Sequence, residues 1–171
     1  MLEDFKSITT FLFDIDGVLT DGLLYVFDSG EQVRCMNIKD GYALQLAVKA
    51  GYRIAAFSGS ESPAVTKRLA KLGITDVFMK VGNKLKSIEE YLQQHHVPWK
   101  QVLFMGDDIP DLEVMHKAGM GCAPSDAVHE ILEIARYISP YNGGMGCVRD
   151  VIEKVMRLNR QWTNDVHIPS R

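Results

Sequence analysis

The stretch Thr9-Thr10-Phe11-Leu12-Phe13-Asp14-Ile15-Asp16-Gly17-Val18-Leu19-Thr20 decides how the rest of this chain is read. Its first five residues are a continuous β-branched, aromatic and aliphatic run, the pattern of a buried strand. Two carboxylates two residues apart follow, and then a glycine. Like charges this close repel unless a cation or a shared proton compensates. A buried strand that ends in such a pair points to chemistry at its carboxyl end.

Outward from that strand, short apolar runs alternate with helical patterns. Residues 40–50 put Ala43, Leu44, Ala47 and Val48 on one helical face, and Gly51 follows as a stop. Ile54 to Phe57 is a second strand run. Ser62-Pro63 reads as an N-cap with proline at the first helical position, and that helix stops before Gly73. Val77 to Met79, Val102 to Met105, Gly121 to Ala123 and Tyr137-Ile138 are further strand runs; residues 84–96, 110–118 and 126–135 are further helices. The last helix carries Val148, Val151, Ile152, Val155 and Met156 at the 3.6-residue period. Such alternation predicts parallel strands joined by right-handed crossovers. The expected fold is α/β, a Rossmann-like, doubly wound parallel sheet with helices on both faces. Residues 1–162 read as one domain, and residues 163–171, without apolar period, as a disordered tail.

One segment breaks the alternation. Leu23 to Phe27, the turn Asp28-Ser29-Gly30, and Glu31 to Met36 read as a β-hairpin over about residues 23–36, inserted after the first strand. Its first arm is almost wholly apolar, so it is expected to pack on something beyond itself. The reading is an oligomerisation element.

In a doubly wound sheet the ligand sits at the carboxyl ends of the strands. Those ends present Asp14-Ile15-Asp16, Ser58-Gly59-Ser60, Lys84 after Gly82-Asn83, and Gly106-Asp107-Asp108-Ile109-Pro110-Asp111. Singly, each has a plainer reading as a turn cap, a turn residue, a solvated helix lysine or a loop. Together, in this order, they suit phosphoryl transfer. Asp14 and Asp107 are candidate oxygen ligands for Mg²⁺. Asp14 is also a candidate nucleophile. Asp16 can act as general acid to the leaving alkoxide and then as general base for water. Ser58 and Lys84 can hold the equatorial phosphoryl oxygens. The negative charge of Asp14, Asp107 and a phosphate dianion exceeds that of Mg²⁺ and Lys84 by one, so Asp16 is expected to carry a proton.

Composition narrows the partners. The chain has 171 residues, 46% hydrophobic and 24% charged, with a net charge of -3. That suits a soluble domain and excludes disorder as the main description. There is no Lys/Arg block to suggest nucleic acid, and no run of ~18 apolar residues to span a membrane. Residues 1–10 are acidic at Glu3 and Asp4 and lack a signal-peptide layout, so a cytoplasmic location is expected. Cys35, Cys122 and Cys147 are widely spaced without a C-x-x-C, and read as reduced, mostly buried thiols.

The motifs FLFDIDGVLTDG (residues 11–22), FSGS (57–60), the lysine of VGNKLKS (81–87) and MGDDIPDLEVM (105–115) resemble the haloacid dehalogenase superfamily of Mg²⁺-dependent phosphatases. The resemblance covers about residues 9–156. Only a hairpin stands where larger members carry a cap domain, so the chain resembles the capless branch. That branch implies a homotetramer whose neighbouring subunits close each active site. The hairpin, NIKDGY (37–42) and GGMGCVRD (143–150) resemble the phosphatases of 3-deoxy-D-manno-octulosonate 8-phosphate, whose product enters the lipopolysaccharide core.

The resemblance implies that Asp14 is nucleophile and metal ligand. Asp16 would be the acid/base and a ligand through its backbone carbonyl, and Asp107 the third ligand. Asp108 and Asp111 would orient metal waters and Lys84. Asn37, Lys39, Asp40, Gly41, Gln45, Gly59, Ser60 and Arg68 would contact the phosphorylated sugar acid. The Gly143–Gly146 segment would be mobile and fold over a neighbour's site. Three departures remove positive charge: Ser60 and Met145 stand where the family has arginine, and Gln45 where it often has a basic residue. They leave a nine-carbon nonulosonate 9-phosphate as an alternative substrate, and a non-catalytic regulator of a sugar-acid synthase as an alternative of another kind. A receiver domain of two-component signalling has no need of Asp16, and a phosphomutase would need a cap.

Overall fold

A computed structural model describes residues 2–169. The first elements in chain order are α1 (Leu2–Lys6), β1 (Thr10–Asp14), β2 (Tyr25–Val26), β3 (Gln32–Val33), α2 (Ile38–Lys49), β4 (Arg53–Phe57), α3 (Pro63–Lys71) and β5 (Asp76–Phe78). They are followed by α4 (Lys84–Gln94), β6 (Val102–Met105), α5 (Leu112–Lys117), β7 (Met120–Ala123), α6 (His129–Ile134), β8 (Tyr137–Ile138) and α7 (Cys147–Leu158). Six strands form one sheet in the order β5-β4-β1-β6-β7-β8, and every pairing in it is parallel. The chain runs outward from β1 through β4 to β5, then returns to the other side of β1 at β6. That reversal opens a crevice at the carboxyl end of β1.

The continuous apolar runs follow from burial on both faces. Side chains alternate across a strand. Phe11 and Phe13 of β1, Ile54 and Ala56 of β4, and Leu103 and Met105 of β6 join one core with residues of α2, α3 and α7. Leu12, Ala55, Phe57, Val102 and Phe104 join the other with Ile88, Tyr91 and Leu92 of α4, Val114 of α5 and Ile131 of α6. Burying each large side chain contributes about 1.5–3 kcal/mol. No cap domain interrupts the chain among the described residues.

Several local expectations change. The sequence shows no period for α1, which is only a turn and a half long; its own Phe5 and the following Ile8 anchor it in the core. Residues 110–118 divide into a 3₁₀ turn, Ile109–Asp111, and α5, because Asp108 and Asp111 cap the turn reciprocally. Cys122 and Cys147 are buried, while Cys35 is exposed. Residues 163–169 contain no helix or strand and lie against α2. There the Tyr42 hydroxyl donates to the Asp165 carbonyl at 3.3 Å, and Lys49 pairs with Asp165 at 2.5 Å. The remainder of the expected disordered tail, Ser170 and Arg171, lies outside the described residues.

The hairpin forms, with β2 and β3 antiparallel, and is tied to the body by a bridge between Thr20 and Met36. Leu23, Tyr25 and Val26 are 65%, 64% and 67% exposed, so on a single chain the apolar arm covers nothing.

The glycine-rich segment departs from the mobile strap that the resemblance implies. Gly143 and Gly144 are buried against the loop that follows β1. Gly143 N donates to Asp126 Oδ1 at 2.8 Å, and Gly144 N to the Val18 carbonyl at 2.9 Å. A Cβ on Gly143 would overlap the carbonyl of Gly17. Gly143→Ala is therefore expected to destabilise the fold by about 1–3 kcal/mol through overpacking. The effect should appear as a lower urea midpoint with an unchanged slope.

Candidate active site

Asp14 ends β1 and is 7% exposed. The chain then turns sharply through Ile15–Leu19, where Thr20 N closes back on the Ile15 carbonyl at 3.0 Å and Gly17 N donates to Thr20 Oγ1 at 3.2 Å. Gly17 has a φ of 91°, and a Cβ there would overlap the Asp107 carboxylate. Glycine at this position lets the β1 and β6 loops approach each other. Ser58 follows β4, buried, and Asp107 lies two residues beyond β6. Asn83 caps α4 by accepting from Lys86 N at 2.8 Å, which puts Lys84 at the helix start, aimed inward.

Asp14, Asp16, Ser58, Lys84 and Asp107 line one cleft of about 540 Å³, joined by Gly59, Ser60, Asp108 and Asp111. Lys84 Nζ bridges Asp14 Oδ1 at 2.7 Å and Asp111 Oδ1 at 2.5 Å. Asp111 Oδ2 accepts from Asp107 N at 3.0 Å and from Asp108 N at 3.5 Å. Asp111 is thus in direct contact with the Lys84 ammonium. Asp108 does not reach it; its Oδ1 accepts from Ile109 N at 2.8 Å and caps the 3₁₀ turn.

The carboxylates are crowded. Oxygens of Asp14, Asp107 and Asp111 lie within 4.8 Å of one another. Burial and the Asp111 charge raise Asp14 above the usual carboxylate range despite Lys84. Burial and the charges of Asp14 and Asp111 push Asp107 up to about 8. Asp107 Oδ1 is buried with no hydrogen-bond partner among the described residues. Asp111 is committed to Lys84 and two backbone N–H groups, which leaves Asp14 and Asp107 with free lone pairs. An orphaned carboxylate oxygen among like charges is the donor set that a hard divalent cation fits.

Asp16 stands differently. Burial raises its pKa, but hydrogen bonds from Arg34 and Ser60 outweigh that and hold the carboxyl below the usual range. Arg34 Nε donates to Asp16 Oδ1 at 2.5 Å, and Arg34 Nη2 donates to Ser60 Oγ at 3.0 Å. The protonated Asp16 expected from the charge count is corrected for this arrangement: the count omitted the Arg34 guanidinium, which compensates an ionised carboxylate. A cation thus reaches Ser60 from the hairpin, although residue 60 is neutral. Arg34 was missed because nothing in the hairpin's own sequence marks it. The usable signal is its place two residues before Met36, which pairs with Thr20 beside the Asp14–Asp16 loop.

Six of the substrate residues implied by the resemblance do not line their own chain's cleft. Asn37 caps α2 by accepting from Lys39 N, and Lys39 is exposed beside a separate groove containing Arg149. Asp40 is 2% exposed and accepts from Arg149 N at 2.7 Å, capping α7; burial pushes its carboxyl up to about 6. Gly41 packs beside Arg68 and Leu72. Gln45 Nε2 donates to the carbonyls of Gly41 at 3.3 Å and Pro169 at 3.0 Å. Arg68 is half-buried under the hairpin, in a hollow it shares with Val33.

Comparison with known proteins agrees with this geometry. A family profile for haloacid dehalogenase-like hydrolases matches residues 69–152. The 3-deoxy-D-manno-octulosonate 8-phosphate phosphatase of Escherichia coli K12 is 33% identical over 151 residues, covering 88% of this chain and 80% of that protein. The crystal structure of the phosphatase of the same name from Yersinia pestis superposes with a TM-score of 0.91 at 29% identity, over 94% of this chain and 86% of that one. The Moraxella catarrhalis phosphatase, solved with a magnesium ion, a phosphate ion and a KDO molecule, superposes with a TM-score of 0.89 at 27% identity, over 92% and 90%.

Proposed function

The chain belongs to the haloacid dehalogenase-like hydrolases, and on that footing we propose that it hydrolyses 3-deoxy-D-manno-octulosonate 8-phosphate with the help of Mg²⁺. The observation that carries this reading is the joint placement of Asp14, Asp16, Ser58, Lys84 and Asp107 on one cleft at the crossover point of the sheet. The reaction is phosphomonoester hydrolysis, and the sugar acid released serves the lipopolysaccharide core. Solved relatives include phosphatases of this ester from Yersinia pestis and Moraxella catarrhalis, the latter in complex with a magnesium ion, a phosphate ion and a KDO molecule.

Asp14 and Asp107, with the backbone carbonyl of Asp16, are the groups that would hold the ion. Bound Mg²⁺ offsets the charge gathered between these carboxylates and the phosphoryl group. Asp14 uses its free Oδ2 to attack phosphorus, and the bond to the sugar oxygen breaks. In the substrate complex the phosphate dianion offsets the Arg34 charge and favours uptake of a proton from solvent by Asp16, which then gives it to that oxygen, so the sugar acid leaves as the alcohol. The phosphoryl group is then an acyl phosphate on Asp14. Asp16, now a carboxylate, takes a proton from water as the water oxygen attacks phosphorus. The bond to Asp14 breaks, phosphate leaves, and both aspartates return to their starting states. Lys84 and Ser58 donate to the phosphoryl oxygens as their charge redistributes. Lys84 is suited to this because Asp111 holds it from behind.

The exposed apolar arm of the hairpin supports a homo-oligomer, with the homotetramer as the proposed form. In that assembly the exposed Lys39 faces a neighbour's cleft, while Asp40 and Gly41 stay buried in their own chain. We place the enzyme in the cytoplasm; among the described residues no helix is long and apolar enough to cross a membrane.

The raised carboxylates give a metal-linked prediction. Asp107 binds its proton more tightly in the folded than in the unfolded chain, so metal-free stability falls as pH rises from the usual carboxylate range through about 8. A divalent cation reverses that loss by binding only the folded site. Mg²⁺ should therefore raise the melting temperature more at about pH 8 than at about pH 5. An equal rise at both would contradict the assignment of Asp107.

The substrate is tested by comparing kcat/KM for phosphate release from the eight-carbon 8-phosphate and a nine-carbon nonulosonate 9-phosphate. The proposal expects the eight-carbon ester to be favoured. Preference for the nine-carbon ester keeps the mechanism and reassigns the substrate, and turnover of neither would leave the regulator reading.

A further inference from the structure

Arg34 is a cation of the site to which the reaction above gives no task. It follows β3 directly on the return arm of the hairpin, yet its side chain is only 3% exposed. Its Nε donates to Asp16 Oδ1 at 2.5 Å. Its Nη2 donates to Ser60 Oγ at 3.0 Å and, at the long distance of 3.5 Å, to Asp16 Oδ2. Arg34 does not line the cleft, whereas both of its partners do.

The two oxygens of Asp16 are therefore unlike. Oδ1 faces a guanidinium, which has donors and no acceptor. Oδ2 faces the hydroxyls of Ser60 at 2.6 Å and Ser58 at 3.3 Å, and a hydroxyl can either donate or accept. Only Oδ2 has partners that suit an oxygen with or without a proton. The terminal torsion of an aspartate is broad and roughly two-fold, so a carboxyl without such a partner samples many planes. A planar guanidinium, donating from Nε and Nη2, restricts that rotation in a way a lysine ammonium does not.

We propose that Arg34 is a positioning residue that fixes the carboxyl plane of Asp16 and presents Oδ2 to the oxygen of the leaving group. This rests on the reading of Asp16 as the acid and base of the reaction. It also gives the hairpin a second task, since the arm that bears the exposed apolar face delivers the group that aims the acid. The neutral Ser60 fits the arrangement. Its short side chain accepts from Arg34 Nη2 and donates to Asp16 Oδ2, and so links the guanidinium to the oxygen that Nε does not hold.

The readout is the dependence of the loss on the leaving group. An alkoxide needs a proton from Asp16 as it departs, whereas p-nitrophenolate leaves without one. Arg34→Ala is expected to lower the single-turnover rate of phosphoryl transfer to Asp14 about 100-fold for the eight-carbon sugar-acid ester, with half-saturation little changed, and less than about 10-fold for p-nitrophenyl phosphate. Arg34→Lys should recover part of the loss on the sugar ester. In an Asp16→Asn background Arg34→Ala should add no further loss, because its route of action is already gone. Circular dichroism verifies the fold of each variant; if Arg34→Ala does not fold, Arg34→Gln carries the same comparison.

Equal losses on the two esters, a loss carried by half-saturation, or full additivity with Asp16→Asn would overturn the positioning role while leaving the phosphatase intact. Wild-type protein with Mg²⁺ that hydrolyses neither ester would overturn the phosphatase reading, and this role with it.

Discussion

Asp14→Asn is expected to reduce phosphate release by about 10⁶-fold, the scale on which removal of a covalent nucleophile is felt. The substitution keeps the shape of the side chain and one carbonyl oxygen, but the amide neither attacks phosphorus nor forms an acyl phosphate. The fold should survive. Asp14 is one of three crowded acidic groups, and Lys84 keeps its 2.5 Å contact with Asp111 after Asp14 is neutralised. Steady-state phosphate assays with a melting curve separate the two properties. A folded variant that retains more than a trace of turnover would remove Asp14 from the nucleophile role.

Lys84→Met has the second largest expected effect, and it falls on both stability and rate. Lys84 is 9% exposed, and its ammonium lies between Asp14 and Asp111, both buried. Burial alone would lower its pKa, but the two carboxylates raise it, so it remains charged. Methionine retains most of the stem and removes the charged ammonium together with its hydrogen-bond donors. Breaking a buried ion pair from one side costs about 3–5 kcal/mol, because the charge left behind has no partner. The loss should be full where Asp14 is ionised and should shrink as acid protonates it. Turnover should fall by roughly 10²–10³-fold for want of a donor to the phosphoryl oxygens. Urea unfolding across a pH series measures the first effect, and kcat the second.

Much of this architecture could be read from the chain because each strand of the sheet is a short apolar run bounded by polar turns. β1, β4 and β6 are buried between two cores, so they read as continuous apolar runs rather than alternating ones. Asp14, Asp16, Ser58 and Asp107 were legible for a related reason: each stands just past such a run, where a doubly wound sheet gathers its chemistry, while Lys84 was marked by the Gly82-Asn83 helix start before it. Asp111 also belonged to the set, and its contact with Lys84 follows from a spacing that closes a 3₁₀ turn.

What escaped depends on contacts between distant segments. Arg34 meets Asp16 only because the hairpin returns and bridges Thr20 to Met36; no period in residues 31–36 shows which side chain turns inward. Asp40 looks like a surface carboxylate at a helix start. It becomes a buried cap because α7, more than a hundred residues later, places its own first turn against it. Gly143 and Gly144 look like a flexible strap, yet their lack of side chains is what lets them close on the β1 loop. Chain periodicity carries the secondary structure, while caps, close approaches and ion pairs across elements need the packed fold.

The most direct test of the central claim is to trap the phosphoryl group on Asp14. Asp16→Asn retains the nucleophile but lacks the base that brings water to the acyl phosphate. With p-nitrophenyl phosphate and Mg²⁺ it should release p-nitrophenol once and then stall. Acid quenching followed by peptide mass analysis should find one phosphoryl group on the peptide bearing Asp14. Release of p-nitrophenol with no adduct, or an adduct on another residue, would contradict the account.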